Sequence, residues 1–207
     1  WLPQIRRISV AAGDAILAIY NQPQAIDVHH KADDSPLTAA DLAAHQLIMR
    51  ELQLLTPDIP VLSEEAADIP WSERQSWQRF WLVDPLDGTK EFIKRNGEFT
   101  VNIALIDAGE PVLGVIHAPV LSKTYSGALG LGAFVADGCG ERAIQARAPK
   151  AGETVRLVGS KSHYQPEVEP YLAQFPLHEL VAVGSSLKFC LVAEGAAHIY
   201  PRFGPTM

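Results

Sequence analysis

The chain has 207 residues, of which 47% are apolar and 20% charged, and this composition excludes a mainly disordered protein. Its 17 Lys and Arg against 24 Asp and Glu give a net charge of −7. Because no basic cluster is present to hold a phosphate backbone, we expect no nucleic-acid partner. The apolar stretches are too short for a membrane-spanning helix. Two cysteines exclude a disulfide framework, so Cys139 and Cys190 are expected to be small buried side chains, with exposure of Cys139 as the alternative.

Two amphipathic helices are predicted in the N-terminal part of the chain. Apolar residues recur at helical spacing over residues 5–20, and a second helical pattern covers residues 38–55. Thr38 has the residue type and the position of an N-cap for the second helix. The apolar stripe of this helix is predicted to comprise Leu42, His45, Ile48, Met49, Leu52 and Leu55.

The pattern then changes to short strands joined by turns. Strands are predicted at residues 61–62, 81–83, 99–106 and 112–116, with a hairpin turn at 107–110 and further strands and turns over 127–140. After a predicted linker at 146–153, the order is strand, helix, strand, helix, strand over residues 155–159, 166–175, 180–183, 186–193 and 198–202. We therefore expect an N-terminal α+β subdomain over residues 1–150 that carries the catalytic motifs, and a partial α/β subdomain over 151–207.

The densest chemical signal is the sequence that follows the strand at residues 81–83, which we call the acidic turn (residues 84–89). It contains two carboxylates, Asp84 and Asp87, and Gly88 and Thr89 follow directly after Asp87. Carboxylate oxygens and an inward-facing Leu86 carbonyl are ligands that Mg²⁺ prefers. Gly88 and Thr89 are expected to begin a helix whose N–H groups face an anion. The alternative is a turn in which an Asp merely caps a helix.

Two further acidic positions favour the catalytic interpretation. Glu64 and Glu65 follow the strand at residues 61–62, so a second strand also ends in carboxylates. Thr38 and Asp41 have the spacing of a capping box, with Asp in the place of Glu. Asp41 is also expected to accept a hydrogen bond from the Thr89 hydroxyl, and the two roles are compatible. Together these positions predict a metal-dependent phosphatase.

Taken together, these motifs resemble the signature of the inositol monophosphatase-like phosphatases, which depend on Mg²⁺ and are inhibited by Li⁺. Lys90-Glu91-Phe92 narrows the resemblance to the bacterial 3′(2′),5′-bisphosphate nucleotidase branch, and residues 160–163 and 184–190 extend it. It implies a layered α-β-α-β-α sugar-phosphatase fold. The implied reaction, part of sulfate assimilation, is hydrolysis of the 3′-phosphate of adenosine 3′,5′-bisphosphate to AMP. The implied location is the cytoplasm, with peripheral association at the inner face of the cell membrane as a variant.

The resemblance also implies roles for individual residues. Glu64, Asp84 and the Leu86 carbonyl would bind one Mg²⁺, and Asp84 with Asp87 a second, within a set of two or three ions. Glu64 and Thr89 would position the attacking water, with Asp41 orienting Thr89. The residues implied to contact the nucleotide substrate are Glu64, Leu86, Asp87, Gly88, Thr89, His163, Ser185, Lys188 and Arg202.

One element implied by the resemblance lies beyond the given residues. Related phosphatases continue after a Gly-Pro-Thr segment into a Trp-Asp motif whose Asp binds the second metal, whereas this sequence stops at Met207. The start at Trp1 likewise lacks Met and a signal-type apolar segment. We therefore expect the sequence to be a fragment of an active enzyme.

Other functions are compatible with parts of this sequence. An inositol phosphate or another sugar phosphate as substrate is the nearest alternative, and Lys90-Glu91-Phe92 disfavours it. A dehalogenase-type phosphatase needs Asp-x-Asp, whereas two residues separate Asp84 from Asp87. A homologue that binds a ligand without turnover is the alternative from another class. The sequence does not indicate an oligomeric state.

Overall fold

A computed structural model of the chain describes residues 1–23, 28–30, 36–66, 69–160 and 168–203. Its helices are α1 (Leu2–Tyr20), α2 (Ala39–Leu55), α3 (Trp71–Arg74), α4 (Thr89–Ile93), α5 (Val168–Leu172) and α6 (Leu187–Ala193), with a 3₁₀ turn at Glu64–Ala66. Its strands are β1 (Val28–His30), β2 (Pro36–Thr38), β3 (Val61–Ser63), β4 (Arg79–Asp87), β5 (Thr100–Asp107), β6 (Glu110–Ala118), β7 (Lys123–Ala128), β8 (Gly132–Asp137), β9 (Gly140–Ile144), β10 (Val155–Ser160) and β11 (His178–Val183). Among the described helices, none is both long enough and apolar enough to cross a membrane.

Strands β3 to β9 form one seven-stranded sheet in sequence order. Strand β3 runs parallel to β4, and every later neighbour is antiparallel. The predicted hairpin turn at 107–110 is confirmed, with positive φ angles of 51° at Ala108 and 85° at Gly109. Two successive positive φ angles match the right-handed twist of the strands that such a turn connects. The predicted strands over 127–140 are confirmed as β7, β8 and β9.

Helices α1 and α2 pack on one face of this sheet. Alternate residues of each strand face the helices, so the core consists of apolar side chains from both layers. Trp81 at the centre is fully buried, and its indole Nε1 donates a hydrogen bond to Thr56 Oγ1 at 2.9 Å. The core includes Ile5, Ile16, Ile48, Leu52, Trp81, Val83, Phe99, Val101 and Ile103. This layer holds the strand ends of the site in place.

The predicted helix over residues 38–55 is confirmed, with Thr38 as its N-cap in a full capping box. Its predicted apolar stripe is correct at Ile48 and Leu52 and wrong at Leu42, which is 41% exposed. The buried face instead contains Ala40, Asp41 and Ala44. Asp41 lies on this buried face, and its carboxylate accepts a hydrogen bond from Thr89 of the acidic turn.

The C-terminal residues form a smaller unit beside the large sheet. Strands β10 and β11 pair in parallel, and α5 lies between them in the chain. The predicted strand at 198–202 is wrong, because only Ile199 forms a bridge, to Leu157. Pro201 has no N–H to donate, so the ladder cannot continue past it. The division at residue 150 stays a prediction, and the segment 145–154 contains no helix or strand.

The two cysteines lie in different environments. Cys190 on α6 is buried. Cys139 is exposed in the turn between β8 and β9, so the expectation that both are buried is wrong for Cys139. Its backbone N–H donates a hydrogen bond to Asp137 Oδ1 at 2.9 Å, which fixes the turn with the side chain outward.

Candidate active site

Glu64 and Asp84 lie side by side because two parallel strands end together. Ser63 pairs with Val83 at the last position of the β3–β4 ladder, and the next residue on each strand is acidic. The carboxyl ends of parallel strands meet at one edge of a sheet, where ligand sites are commonly built. The side chains of Glu64 and Asp84 are hydrogen-bonded to each other. The prediction that two strands end in carboxylates is therefore confirmed, and the structure adds that the two ends are neighbours.

A register shift in β4 brings Asp87 to the same site. Residues three apart on a regular strand point to opposite faces of the sheet. Here Asp84 pairs with Asn102 and Asp87 pairs with Thr100, with an irregularity between the two pairs. Thr100 and Asn102 are two apart on β5 and so face the same side. The bulge thus places both aspartates over one face, close enough for the charge of Asp87 to raise the pKa of Asp84.

The carboxylates destabilise one another in the absence of a cation. Burial raises the pKa of Asp84 well above its usual range, and the charges of Asp87 and Glu64 raise it further. Burial also raises the pKa of Asp87, while the Lys188 ammonium partly opposes this shift. Like charges this close favour protonation or a bound cation. The site is therefore electrostatically suited to a positive ion.

The donor chemistry fits a hard divalent cation. All the expected ligand atoms are oxygens, from the carboxylates of Glu64, Asp84 and Asp87 and the carbonyl of Leu86. Mg²⁺ binds such oxygens, and it usually keeps several waters and takes only one or two protein carboxylates. Within the described part of the chain, no three carboxylate, imidazole or thiol groups are already arranged as a metal-binding cluster. Mg²⁺ completes its shell with carbonyl, water and substrate oxygens.

The glycine of the acidic turn makes its sharp bend possible. Gly88 has φ 97° and ψ 40°, in the left-handed region, and α4 begins at the next residue, as predicted. A Cβ atom at this position would lie 3.0 Å from the Glu98 carbonyl oxygen and 3.2 Å from Ser185 Cβ. The turn is thus packed closely against both the β5 side and the residues that precede α6.

The Thr89 hydroxyl is held by Asp41, as the sequence predicts. Thr89 Oγ1 lies 3.3 Å from Asp41 Oδ1 and 3.4 Å from the Leu86 carbonyl oxygen. The other oxygen of Asp41 accepts hydrogen bonds from the Thr38 backbone N–H at 2.8 Å and from Thr38 Oγ1 at 2.6 Å. Asp41 is therefore both a helix cap and a support for Thr89. The predicted compatibility of the two roles is confirmed.

Three of the predicted substrate residues, Ser185, Lys188 and Arg202, lie around α6. Ser185 is buried and contacts the acidic turn through the close approach to Gly88. Lys188 is also buried, and its ammonium donates hydrogen bonds to the carbonyls of Ser185 and Val183. Burial lowers the pKa of Lys188, partly opposed by the charge of Asp87. Arg202 is half-buried, and its charge also acts on Lys188. His163 lies outside the described residues.

Three polar side chains at the site had no role assigned from the sequence. Thr100 and Asn102 on β5 and Ser186 before α6 form hydrogen bonds that end at Asp87. The sequence does carry a sign of this role, because Thr100 and Asn102 are two polar residues at strand spacing in the otherwise apolar predicted strand at 99–106. Their pairing with Ser186, 84 or more residues away in sequence, could not be read from local pattern.

Strand-end carboxylates on a helix-covered sheet, next to a glycine turn that opens a helix, define a metal-assisted phosphatase site. The sequence pattern of the inositol monophosphatase family matches residues 3–207. The chain therefore belongs to the inositol monophosphatase family.

Curated relatives and solved structures agree with this assignment. A relative from Escherichia coli O6:H1, named 3′(2′),5′-bisphosphate nucleotidase CysQ, is 57% identical over 99% of this chain and 81% of its own length. A relative of the same name from Haemophilus influenzae is 37% identical over 99% of this chain and 76% of its own length. The crystal structure of CysQ from Bacteroides thetaiotaomicron matches with a TM-score of 0.82 and 42% identity, covering 97% of this chain and 78% of that one. An inositol monophosphatase from Anabaena, 22% identical with a TM-score of 0.73 over 96% of this chain and 72% of its own, shares the fold. The predicted fold class is confirmed.

Proposed function

We propose that the chain hydrolyses the 3′-phosphate of adenosine 3′,5′-bisphosphate to AMP and phosphate. The observation that carries this proposal is the convergence of Glu64, Asp84 and Asp87 beside the Thr89–Asp41 pair. The name shared by relatives up to 57% identical supports the bisphosphate nucleotide as substrate. The proposed location is the cytoplasm, with peripheral association at the inner face of the cell membrane as its variant.

The family depends on a metal, typically Mg²⁺, and the oxygen donors of this site fit that ion. Glu64, Asp84 and the Leu86 carbonyl would hold one ion, and Asp84 with Asp87 would hold a second. The site would take two or three ions in all, and Li⁺ would inhibit phosphate release. Mg²⁺, when bound, lowers the pKa of a water molecule and neutralises charge on phosphate oxygens.

The protein's own groups then orient the attacking water. Asp41 Oδ1 and the Leu86 carbonyl oxygen both lie near Thr89 Oγ1, and both can only accept a hydrogen bond. The ionised carboxylate is the stronger acceptor, so the Thr89 hydroxyl donates its single proton to Asp41 Oδ1. The lone pairs of Thr89 Oγ1 are then available to accept a hydrogen bond from water. Glu64, on the neighbouring strand end, would accept the second proton of the same water. The water oxygen bonds to phosphorus in line with the P–O3′ bond, which breaks. The proton that the water gives up ends on the 3′-oxygen of AMP, and no phosphoenzyme forms.

Substrate binding is assigned to both sides of the site. The backbone N–H groups of Gly88 and Thr89 would bind the scissile phosphate, next to Leu86 and Asp87. The cationic and hydroxyl groups of the α6 side would bind the other phosphate and the nucleoside. The residues of that side are Ser185, Lys188 and Arg202, and the same role is proposed for His163 from the family resemblance alone.

The test is phosphate release from adenosine 3′,5′-bisphosphate, inositol 1-phosphate and fructose 1,6-bisphosphate, with Mg²⁺ and with or without Li⁺. It uses the 207-residue chain and a version extended past Met207 with the C-terminal segment of the Escherichia coli relative, of whose length this chain matches 81%. We expect the extended version to prefer the nucleotide and to be inhibited by Li⁺. A preference for inositol 1-phosphate would overturn the substrate assignment. Folded proteins that release no phosphate from any substrate would favour a ligand-binding homologue instead.

A further inference from the structure

Three polar side chains form a continuous path from the sheet to the acidic turn. The hydroxyl oxygens of Thr100 and Ser186 are both buried and lie 2.8 Å apart. Ser186 Oγ also lies 2.9 Å from Asn102 Oδ1. Asn102 Nδ2 in turn lies 3.5 Å from Asp87 Oδ2. The path therefore ends on a carboxylate of the proposed metal site.

The direction of each hydrogen bond follows from the groups involved. An ionised Asp87 only accepts, so it receives an N–H of the Asn102 amide. The amide oxygen of Asn102 then faces Ser186, whose hydroxyl donates to it. A hydroxyl has one proton, so Ser186 must accept from the Thr100 hydroxyl. All the donors of the path thus point toward Asp87.

The path also connects Asp87 to the part of the chain that carries the proposed substrate residues. The backbone N–H of Ser186 donates a further hydrogen bond to the Asp87 carboxylate. The preceding residue, Ser185, has φ 48° and accepts the Lys188 ammonium through its carbonyl. The residues before α6 are therefore joined to Asp87 by a main-chain bond and by the side-chain path.

We infer that Thr100, Asn102 and Ser186 are positioning residues, which orient the Asp87 carboxylate toward a divalent cation and keep α6 in register with it. This inference rests on the proposed function. Outer partners of metal ligands typically contribute about 10- to 100-fold to metal affinity. Because the Asn102–Asp87 bond is long at 3.5 Å, the lower end of that range applies.

The competing explanation is that the path only packs α6 onto the sheet. Thr100→Val and Asn102→Ala each interrupt the path, and Thr100→Ser keeps its hydroxyl. Thr124→Val is a matched control, since Thr124 is a buried threonine of the same sheet whose hydroxyl bonds to His117 Nδ1 at 2.9 Å. A purely structural role predicts that Thr100→Val behaves like this control.

The test measures Mn²⁺ binding without substrate by electron paramagnetic resonance, together with urea unfolding, in the version of the chain that hydrolyses the nucleotide. We expect Thr100→Val and Asn102→Ala each to weaken Mn²⁺ binding about 10-fold, and the double variant by little more than either alone. Thr100→Ser should bind Mn²⁺ nearly as the unmodified chain does, and Thr124→Val should lose stability alone.

Two results would overturn the inference in distinguishable ways. If Thr100→Val and Asn102→Ala lose stability as Thr124→Val does, yet bind Mn²⁺ like the unmodified chain, the path is structural. If the unmodified chain binds no Mn²⁺, the proposed function itself fails, and the inference fails with it.

Discussion

Replacing Gly88 with alanine tests whether the acidic turn is rigid. Gly88 has φ 97°, a conformation that an L side chain rarely adopts. The new Cβ would lie 3.0 Å from the Glu98 carbonyl oxygen and 3.4 Å from Phe99 Cα. Both are backbone atoms and cannot rotate away, so the turn itself must move. Because Thr89 follows directly, this movement displaces its hydroxyl from Asp41.

The expected loss of free energy of unfolding in Gly88→Ala has two parts, one from the backbone conformation and one from packing. A left-handed conformation costs an alanine about 1–2 kcal/mol. Forcing an additional carbon into a packed position costs about 1–3 kcal/mol more. We therefore expect the free energy of unfolding to fall by about 3 kcal/mol in Gly88→Ala. Contacts of 3.0–3.4 Å require a movement of a few tenths of an ångström. Since a misplacement of about 1 Å costs about 100-fold in rate, we expect activity to fall several-fold.

Gly130→Ala separates the two parts. Gly130 has φ 79° in the turn between β7 and β8, and no atom of the described residues lies within 4 Å of the place that a Cβ would take. It should lose only the conformational part, about 1–2 kcal/mol, and retain full activity. Urea unfolding and phosphate release measure both effects. Equal loss of stability in the two variants, with activity kept in Gly88→Ala, would refute the close packing of the acidic turn.

Three further predictions follow from buried and exposed polar groups. Asp41→Asn should reduce activity far more than Thr38→Ala, although each loses about 1 kcal/mol of helix capping, because of these two side chains it is Asp41 that accepts the hydrogen bond from Thr89 Oγ1. Similar rates of phosphate release in the two variants would contradict this. Cys139 is exposed and burial raises the pKa of Cys190 to about 12, so a thiol reagent at neutral pH should modify one thiol in the native chain and two after unfolding. Burial lowers the pKa of His117 below 6.5, so protonation favours unfolding, and stability that is complete above 6.5 should fall as the pH drops below it. The difference between the urea midpoints measured above and below pH 6.5 should be smaller in His117→Gln than in the unmodified chain. An unchanged difference would exclude His117 as a cause of the pH dependence of stability.

Local chemistry made part of the site predictable. Thr38 and Asp41 form a capping box because their spacing alone satisfies the first backbone N–H groups of a helix. The strand ends at Glu64 and Asp84 were likewise visible as apolar runs that stop at acids. The left-handed turn at Gly88 follows from the residue type. These features depend on a few consecutive residues.

Other features depend on contacts between distant parts of the chain. The bulge that turns Asp84 and Asp87 to one face is set by pairing with β5, which local sequence does not show. Leu42 fits the helical period and is nevertheless exposed, whereas its neighbour Asp41 is buried. The pairing of Asn102 with Ser186 likewise arises only when α6 packs beside β5. Tertiary packing therefore determines the details that local pattern leaves open.

Above all, phosphate release should require a cation held by the acidic turn. The decisive experiment measures the rate of phosphate release from adenosine 3′,5′-bisphosphate as a function of Mg²⁺ concentration. It uses whichever version of the chain, the 207-residue or the extended one, releases phosphate, together with the Asp84→Asn variant of that version. The variant keeps the shape of the side chain and removes a repelling charge, so it should fold at least as stably without metal. We expect a rate that saturates with Mg²⁺ and is lost in the variant. Release that persists in a chelator, or an unchanged rate in Asp84→Asn, would contradict the requirement for a bound cation.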